Sequence, residues 1–124
     1  MNGKEKFIDE LKQLNFNPES KDGNRVAFNY SIKDGRFKDQ AIQIGLEIPQ
    51  DYPVNPPPGP HITPALIPVN GTSTDNAKAV TSPAFGNDWL YLSRPFRDNQ
   101  AGWNRTHRDA RSYLKHIKNI LDTL

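Results

Sequence analysis

Hydrophobic residues recur at helical spacing at both ends of the chain. Near the start, an apolar stripe predicts a helix over residues 3–14, which Asn2 is expected to cap. Near the end, a second stripe predicts a helix from about Thr106 to Leu124, with Thr106 as its cap. The buried faces of these helices comprise Phe7, Ile8, Leu11 and Leu14 in the first, and Ala110, Tyr113, Leu114, Ile117, Leu121 and Leu124 in the second.

Between the helices the pattern changes to strict alternation, which is typical of half-buried strands. Two alternating runs, 26–32 and 42–48, predict an antiparallel pair joined at the Asp34-Gly35 turn. Residues 61–63 and 89–92 predict two shorter strands, residues 65–88 a long loop, and residues 93–102 an irregular segment. The order predicts an α+β fold, an antiparallel four-stranded meander with an N-terminal helix and a C-terminal helix.

A dense run of prolines follows the second alternating run. Seven of the eleven prolines lie between Pro49 and Pro64, a segment that we call the proline shelf. Proline lacks an N–H and fixes φ, so the shelf excludes a helix and favours extended backbone. Because a strand leads directly into it, we expect a rigid turn at the end of the meander.

Length and composition limit the function classes. The chain has 124 residues, 35% of them hydrophobic and 24% charged, which predicts a single domain spanning residues 1–124. No apolar run has the length of a membrane span and no signal segment is visible, so we expect a cytoplasmic protein without a membrane partner. The net charge of +2 gives no reason to expect a nucleic acid partner.

The chain contains no cysteine, which excludes disulfides, thiolate metal sites and a cysteine nucleophile. Its histidines, His61, His107 and His116, do not follow a zinc-ligand spacing, so we expect no metal and no cofactor.

The segment Tyr52-Pro53-Val54-Asn55-Pro56-Pro57, placed after a helix and an antiparallel pair, resembles the Tyr-Pro-x-x-Pro-Pro turn of the ubiquitin-conjugating enzyme family. Trp103, shortly before the last helix, matches the tryptophan that follows the family's active site. Within the superfamily, which includes RWD-like domains, the chain looks most like the conjugating enzyme of the ubiquitin-fold modifier and its bacterial relatives. The resemblance implies that Tyr52, Pro53, Pro56, Pro57 and Trp103 form a structural motif, with Trp103 as a packing residue.

The resemblance fails at the active site. Counting back from Trp103 places the family's cysteine at residues 93–95, where Ser93 fits best because it follows an apolar segment. The family's His-Pro-Asn motif is also missing. A thiolate attacks near neutral pH, whereas a serine hydroxyl needs an adjacent base, and the sequence shows none beside Ser93. Ser93 is therefore a natural serine in a non-catalytic relative, an ordinary loop residue, or a replacement of a catalytic cysteine.

Three residues near Ser93 are candidates for binding partners. Trp89 and Phe96 are aromatic residues around an irregular segment, and exposed aromatic side chains favour interfaces. Asn99 is a candidate hydrogen-bond donor to a reacting carbonyl. Lys78 lies in a stretch that faintly resembles a Thr-Ala-Lys motif of the relatives.

Basic residues of the last helix follow one face, at Arg108, Arg111, Lys115 and Lys118. A solvated face is the favoured interpretation, and binding of an acidic partner or a nucleic acid is the alternative.

The first functional hypothesis is a non-catalytic binding or scaffold subunit of a bacterial ubiquitin-like conjugation pathway. Its partners would be a ubiquitin-like protein, an activating enzyme or another conjugating enzyme. The second is an active conjugating enzyme whose cysteine is replaced at Ser93. The third is an unrelated small α+β adaptor that binds peptides on the proline shelf.

Overall fold

A computed structural model describes residues 2–66, 78–82, 85–93 and 99–124. Described in chain order, its elements are α1 (Gly3–Gln13), β1 (Glu19–Ser20), β2 (Arg25–Ser31), β3 (Ala41–Glu47), β4 (His61–Thr63), β5 (Lys78–Ser82), β6 (Gly86–Ser93), α2 (Asn99–Asn104) and α3 (Ala110–Asp122). The α+β class and a helix at each end are as expected from the sequence.

The strands form one antiparallel sheet in the order β1-β2-β3-β4-β6-β5. A single register runs across its centre, where Phe28, Ile44, Ile62 and Leu90 lie side by side and are buried. This row packs with Phe7, Leu11 and the buried face of α3 in one hydrophobic core. Exposed Asn29 and Gln43 lie at intervening register positions, so one face of the sheet is covered and the other is largely open.

The expected strand count of four is too low. All four predicted strands exist, as β2, β3, β4 and β6, but the two-residue β1 and the five-residue β5 extend the sheet at its edges. The expected 65–88 loop therefore contains β5 and the first residues of β6, while 67–77 and 83–84 lie outside the described residues. Alternation in Lys78–Ser82 is too short to distinguish a strand from a loop in the sequence.

The helix ends also differ from expectation at one point. Asn2 caps α1 as predicted, since its Oδ1 accepts a hydrogen bond from the Glu5 N–H at 2.9 Å. Asp109, and not Thr106, caps α3, because its Oδ1 accepts from the Ser112 N–H at 2.9 Å. Thr106 instead closes the turn after α2, where its hydroxyl donates to the Trp103 carbonyl at 2.7 Å. The segment 93–102, which was expected to be irregular, contains the last residue of β6 and the first residues of α2.

The β2–β3 turn is docked on the end of α3. Gly35 has a φ of +89°, and a Cβ atom there would lie 2.0 Å from the Asp122 carbonyl oxygen. The Asp34 N–H donates to Asp122 Oδ1 at 3.1 Å. Only glycine combines this backbone with so close an approach, so the turn fixes α3 against the sheet.

Candidate functional site

The proline shelf is attached to the helices by aromatic side chains that donate hydrogen bonds. Trp103, fully buried, donates from Nε1 to the Pro53 carbonyl at 2.7 Å. Tyr113 donates its hydroxyl to the Pro58 carbonyl. The Tyr52 ring lies 5.2 Å from Phe7 and 6.2 Å from Trp103. The shelf is thereby an integral part of the core, and not a separate ledge.

Glu10 joins three elements beside the shelf. Its Oε1 accepts from the Tyr52 hydroxyl at 2.6 Å and from the Ala110 N–H at 3.2 Å, and its Oε2 lies 3.4 Å from Lys6 Nζ. Burial, followed by the hydrogen bond to Glu10 and its charge, raises the pKa of Tyr52 well above the usual range. Burial likewise raises the pKa of Tyr113. Both hydroxyls are therefore neutral donors with fixed acceptors, which suits a structural role.

Ser93, which the resemblance matches to the family's cysteine, is the last residue of β6. The antiparallel register pairs it with Lys78, the first residue of β5. Residues at opposed register positions are neighbours across an antiparallel pair. The structure thus brings together two residues that lie fifteen positions apart and that the sequence could not place next to each other.

The other predicted binding residues are distributed differently. Trp89 lies in β6, is partly buried, and its ring is 5.0 Å from that of Phe85. Asn99 is the first residue of α2. Phe96 lies outside the described residues. The binding role of these three residues stays a prediction.

An aromatic cluster that the sequence did not reveal occupies the more open face of the sheet. Phe85, just before β6, covers Gly45 of β3, where an added Cβ would lie 2.6 Å from its ring. The His61 ring lies 4.6 Å from both Phe85 and Tyr91. The available signal was Gly45, a glycine inside a strand, which often marks a close approach by another group.

His61 is the buried polar member of this cluster. Its Nε2 lies 3.7 Å from Glu47 Oε1, and Glu47 Oε2 lies 4.0 Å from Arg25 Nε. Burial first, and the positive charge of Arg25 second, lower the pKa of His61 to about 4. The imidazole is therefore neutral near pH 7, and its contact with Glu47 is not an ion pair.

The basic face of the last helix is shorter than the sequence suggested. Arg108 has a φ of +53° and precedes the cap of α3, so it lies outside the helix. Lys118 is engaged with Asp122 at 2.6 Å and with Asp34 at 3.5 Å. Arg111 and Lys115 are exposed.

Neither a metal site nor a membrane-spanning helix is found in the part of the chain that the structure describes. Within it, no group of three histidine, cysteine or acidic residues is arranged to hold a metal ion. None of the helices there is both long enough and apolar enough to cross a membrane.

Comparison with known proteins gives one match. The family model of prokaryotic E2 family E matches residues 4–123. No curated protein and no solved structure matches the chain. The matched range runs from α1 through the proline shelf and Ser93 to the end of α3, and it takes in nearly the whole chain. The chain therefore belongs to prokaryotic E2 family E.

Proposed function

We propose that this protein is a non-catalytic binding or scaffold subunit of a bacterial ubiquitin-like conjugation pathway. Membership of a prokaryotic E2 family indicates a component of such a pathway. The observation that carries the finer proposal is that none of the 124 residues is a cysteine, although the fold and the proline shelf are retained. A conjugating enzyme holds its modifier as a thioester, and this chain has no thiol with which to form one.

The attachment of the shelf supports a binding role. Three hydrogen bonds hold the shelf in place: Tyr52 donates to Glu10, Trp103 to Pro53 and Tyr113 to Pro58. The groups that make these bonds serve to fix the shelf and need no catalytic role. A preformed surface binds a partner with less loss of conformational entropy than a mobile one. The partners that we propose are a ubiquitin-like protein, an activating enzyme or another conjugating enzyme, in the cytoplasm and without a nucleic acid or membrane.

The experiment that tests this proposal is binding to the proteins encoded next to the gene. The purified chain should form a non-covalent complex with a neighbouring ubiquitin-like protein, activating enzyme or conjugating enzyme in calorimetry or gel filtration. Complete lack of binding to all of them would remove the basis of the proposal.

A second candidate function is an active conjugating enzyme whose cysteine is replaced at Ser93. The position of Ser93 at the end of β6, paired in register with Lys78, favours keeping this candidate. A Ser93→Cys variant that formed a reducible adduct with an activated modifier would support it. The absence of an adduct with a pathway's own activating enzyme, under conditions where a known conjugating enzyme loads, would exclude it.

Two narrower expectations stay proposals. The special likeness to the conjugating enzyme of the ubiquitin-fold modifier is one, and the assignment of Trp89, Phe96 and Asn99 as binding residues is the other. The third hypothesis, an adaptor unrelated to conjugating enzymes, is not retained because the chain belongs to an E2 family.

A further inference from the structure

We propose that Arg108, Arg111 and Lys115 form a docking surface for an acidic, extended peptide segment of a partner protein. We call these three residues the basic patch. The inference goes beyond the proposed function, because it concerns recognition of a partner's charge and does not depend on the chemistry at Ser93.

Positive charge is concentrated around the basic patch. Residues 105–118 contain five of the sixteen basic residues and only one of the fourteen acidic residues. This segment therefore carries a net charge of +4 without histidine, and the rest of the chain carries −2. A local field of one sign steers and holds a partner of the opposite sign.

The members of the basic patch are available to a partner. All three are exposed, and within the described ranges no ion pair involves any of them. Lys118, by contrast, is already neutralised by Asp34 and Asp122. Asp122 lies one turn beyond Lys118 on the same side of α3. The row of positive side chains along this side therefore ends at Lys118.

Arg111 has two opposed electrostatic effects on α3. It is the second residue of the helix, where the positive end of the helix dipole disfavours a cation, and the first turn carries no acidic residue. The Asp109 cap lies nearby. Burial acts to raise the pKa of the Asp109 carboxyl. Hydrogen bonds from Ser112, followed by the charges of His107 and Arg111, nevertheless hold this pKa below the usual value. Arg111 therefore opposes the helix dipole but attracts the ionised Asp109 cap. Its exposed side chain makes no ion pair within the described residues, so its charge is available to a partner.

The dimensions of the patch fit a peptide better than a nucleic acid. Arg111 and Lys115 are about 6 Å apart along the helix axis, and alternate residues of an extended strand are spaced by about 6.6 Å. Two acidic residues at alternate positions therefore reach both cations, and an arginine accepts a carboxylate in a two-pronged geometry. Nucleic acid binding uses a longer run of cations or stacked aromatic rings. The patch has neither, since Tyr113 is buried, Asp109 lies between Arg108 and Arg111 in the chain, and Asp122 follows Lys118.

The test is a titration of the ¹⁵N-labelled full chain with an octaglutamate peptide, followed by amide chemical shifts at low and physiological salt. An eight-residue oligothymidylate serves as the nucleic acid probe. The expected result is that octaglutamate shifts the amides of residues 108–115 and that added salt weakens binding. Binding of the oligothymidylate with equal or greater affinity, or no binding of octaglutamate, would overturn the proposal.

Matched variants separate the patch from general charge. Arg111→Glu/Lys115→Glu should weaken octaglutamate binding by about tenfold, because two attractions become repulsions. Arg36→Glu/Lys38→Glu changes the net charge equally on two exposed residues of the β2–β3 turn and should leave affinity nearly unchanged. The patch variant should stay folded with little change in unfolding temperature, because Arg111→Glu gains from the helix dipole but loses the attraction to Asp109. Equal weakening by both double variants would contradict the assignment.

Discussion

Replacing Tyr52 with phenylalanine removes a single hydroxyl, the one that joins the proline shelf to α1. That hydroxyl donates to Glu10 Oε1 at 2.6 Å, and Tyr52 is only 4% exposed. A hydrogen bond to a charged group contributes about 1.5–3 kcal/mol to stability. We therefore expect Tyr52→Phe to reduce the free energy of unfolding by about 2 kcal/mol and, for a domain of this size, to lower Tm by roughly 8 °C.

The assay is urea unfolding at pH 7 followed by far-UV circular dichroism, in which the midpoint should fall and the m-value should stay constant. Tyr30→Phe is the matched control. Tyr30 is 9% exposed, and no hydrogen bond of its hydroxyl is found among the described residues. The control should change stability by less than about 0.5 kcal/mol. Equal losses in the two variants, or no loss in Tyr52→Phe, would refute the reasoning.

The same variant has a signature in alkaline solution. Because the pKa of Tyr52 is raised in the folded protein, its contribution is fully present below pH 10, the ordinary tyrosine value, and is lost as the pH rises above it. Above pH 10, the contribution of Tyr52 should therefore make the free energy of unfolding fall by about 1.4 kcal/mol for each pH unit. Tyr52→Phe should flatten the measured slope by that amount.

Three further predictions concern the sheet and the end of the shelf. His61 has a pKa of about 4 when folded and 6.5 ordinarily, so its contribution is present above pH 6.5 and falls as the pH drops from 6.5 towards 4. That loss in the free energy of unfolding is on the order of 3 kcal/mol. When the free energy of unfolding of His61→Gln is measured over the same pH range, this loss should be absent. Gly45→Ala should cost about 1 kcal/mol in urea unfolding, because the new methyl group meets the Phe85 ring, and this cost should largely disappear when Gly45→Ala is compared with Gly45 in a Phe85→Ala background. Trp103→Phe should cost about 3 kcal/mol in the same assay, since it leaves a cavity and removes the donor to the Pro53 carbonyl; a loss below 1 kcal/mol would contradict the assigned packing.

Local patterns are sufficient to predict the two terminal helices and the central strands, but not α2, which lies in a segment expected to be irregular. Asn2 was identified as a cap because its side chain acts on a backbone group three residues away, at Glu5. The strands β2 and β3 are predicted from alternating apolar and polar residues, and burial follows this alternation over Phe28–Ser31 and Ala41–Ile44, whereas Ala27 and Gly45 are buried on the second face. The sequence does not fix the start of α3, because Thr106 and Asp109 are both good caps and only the fold shows that the Thr106 hydroxyl donates to the Trp103 carbonyl.

The candidate site was less accessible to sequence reasoning because its neighbours come from separate segments. The distance from Trp103 along the chain points to Ser93, but its register partner Lys78 depends on how β5 pairs with β6. The burial of His61 beneath Phe85 depends on a contact with the residue just before β6. No periodicity within either segment encodes such a contact.

The most direct test of the proposed function is a loading assay with the unaltered chain. The chain is incubated with a ubiquitin-like protein and activating enzyme encoded beside its gene, together with ATP, and examined by denaturing electrophoresis with and without reductant. A matched sample in gel filtration reports non-covalent binding. We expect a non-covalent complex and no covalent adduct. A covalent adduct that resists reductant, is cleaved by hydroxylamine and disappears in Ser93→Ala would contradict the proposal, because Ser93 would then carry the modifier as an ester.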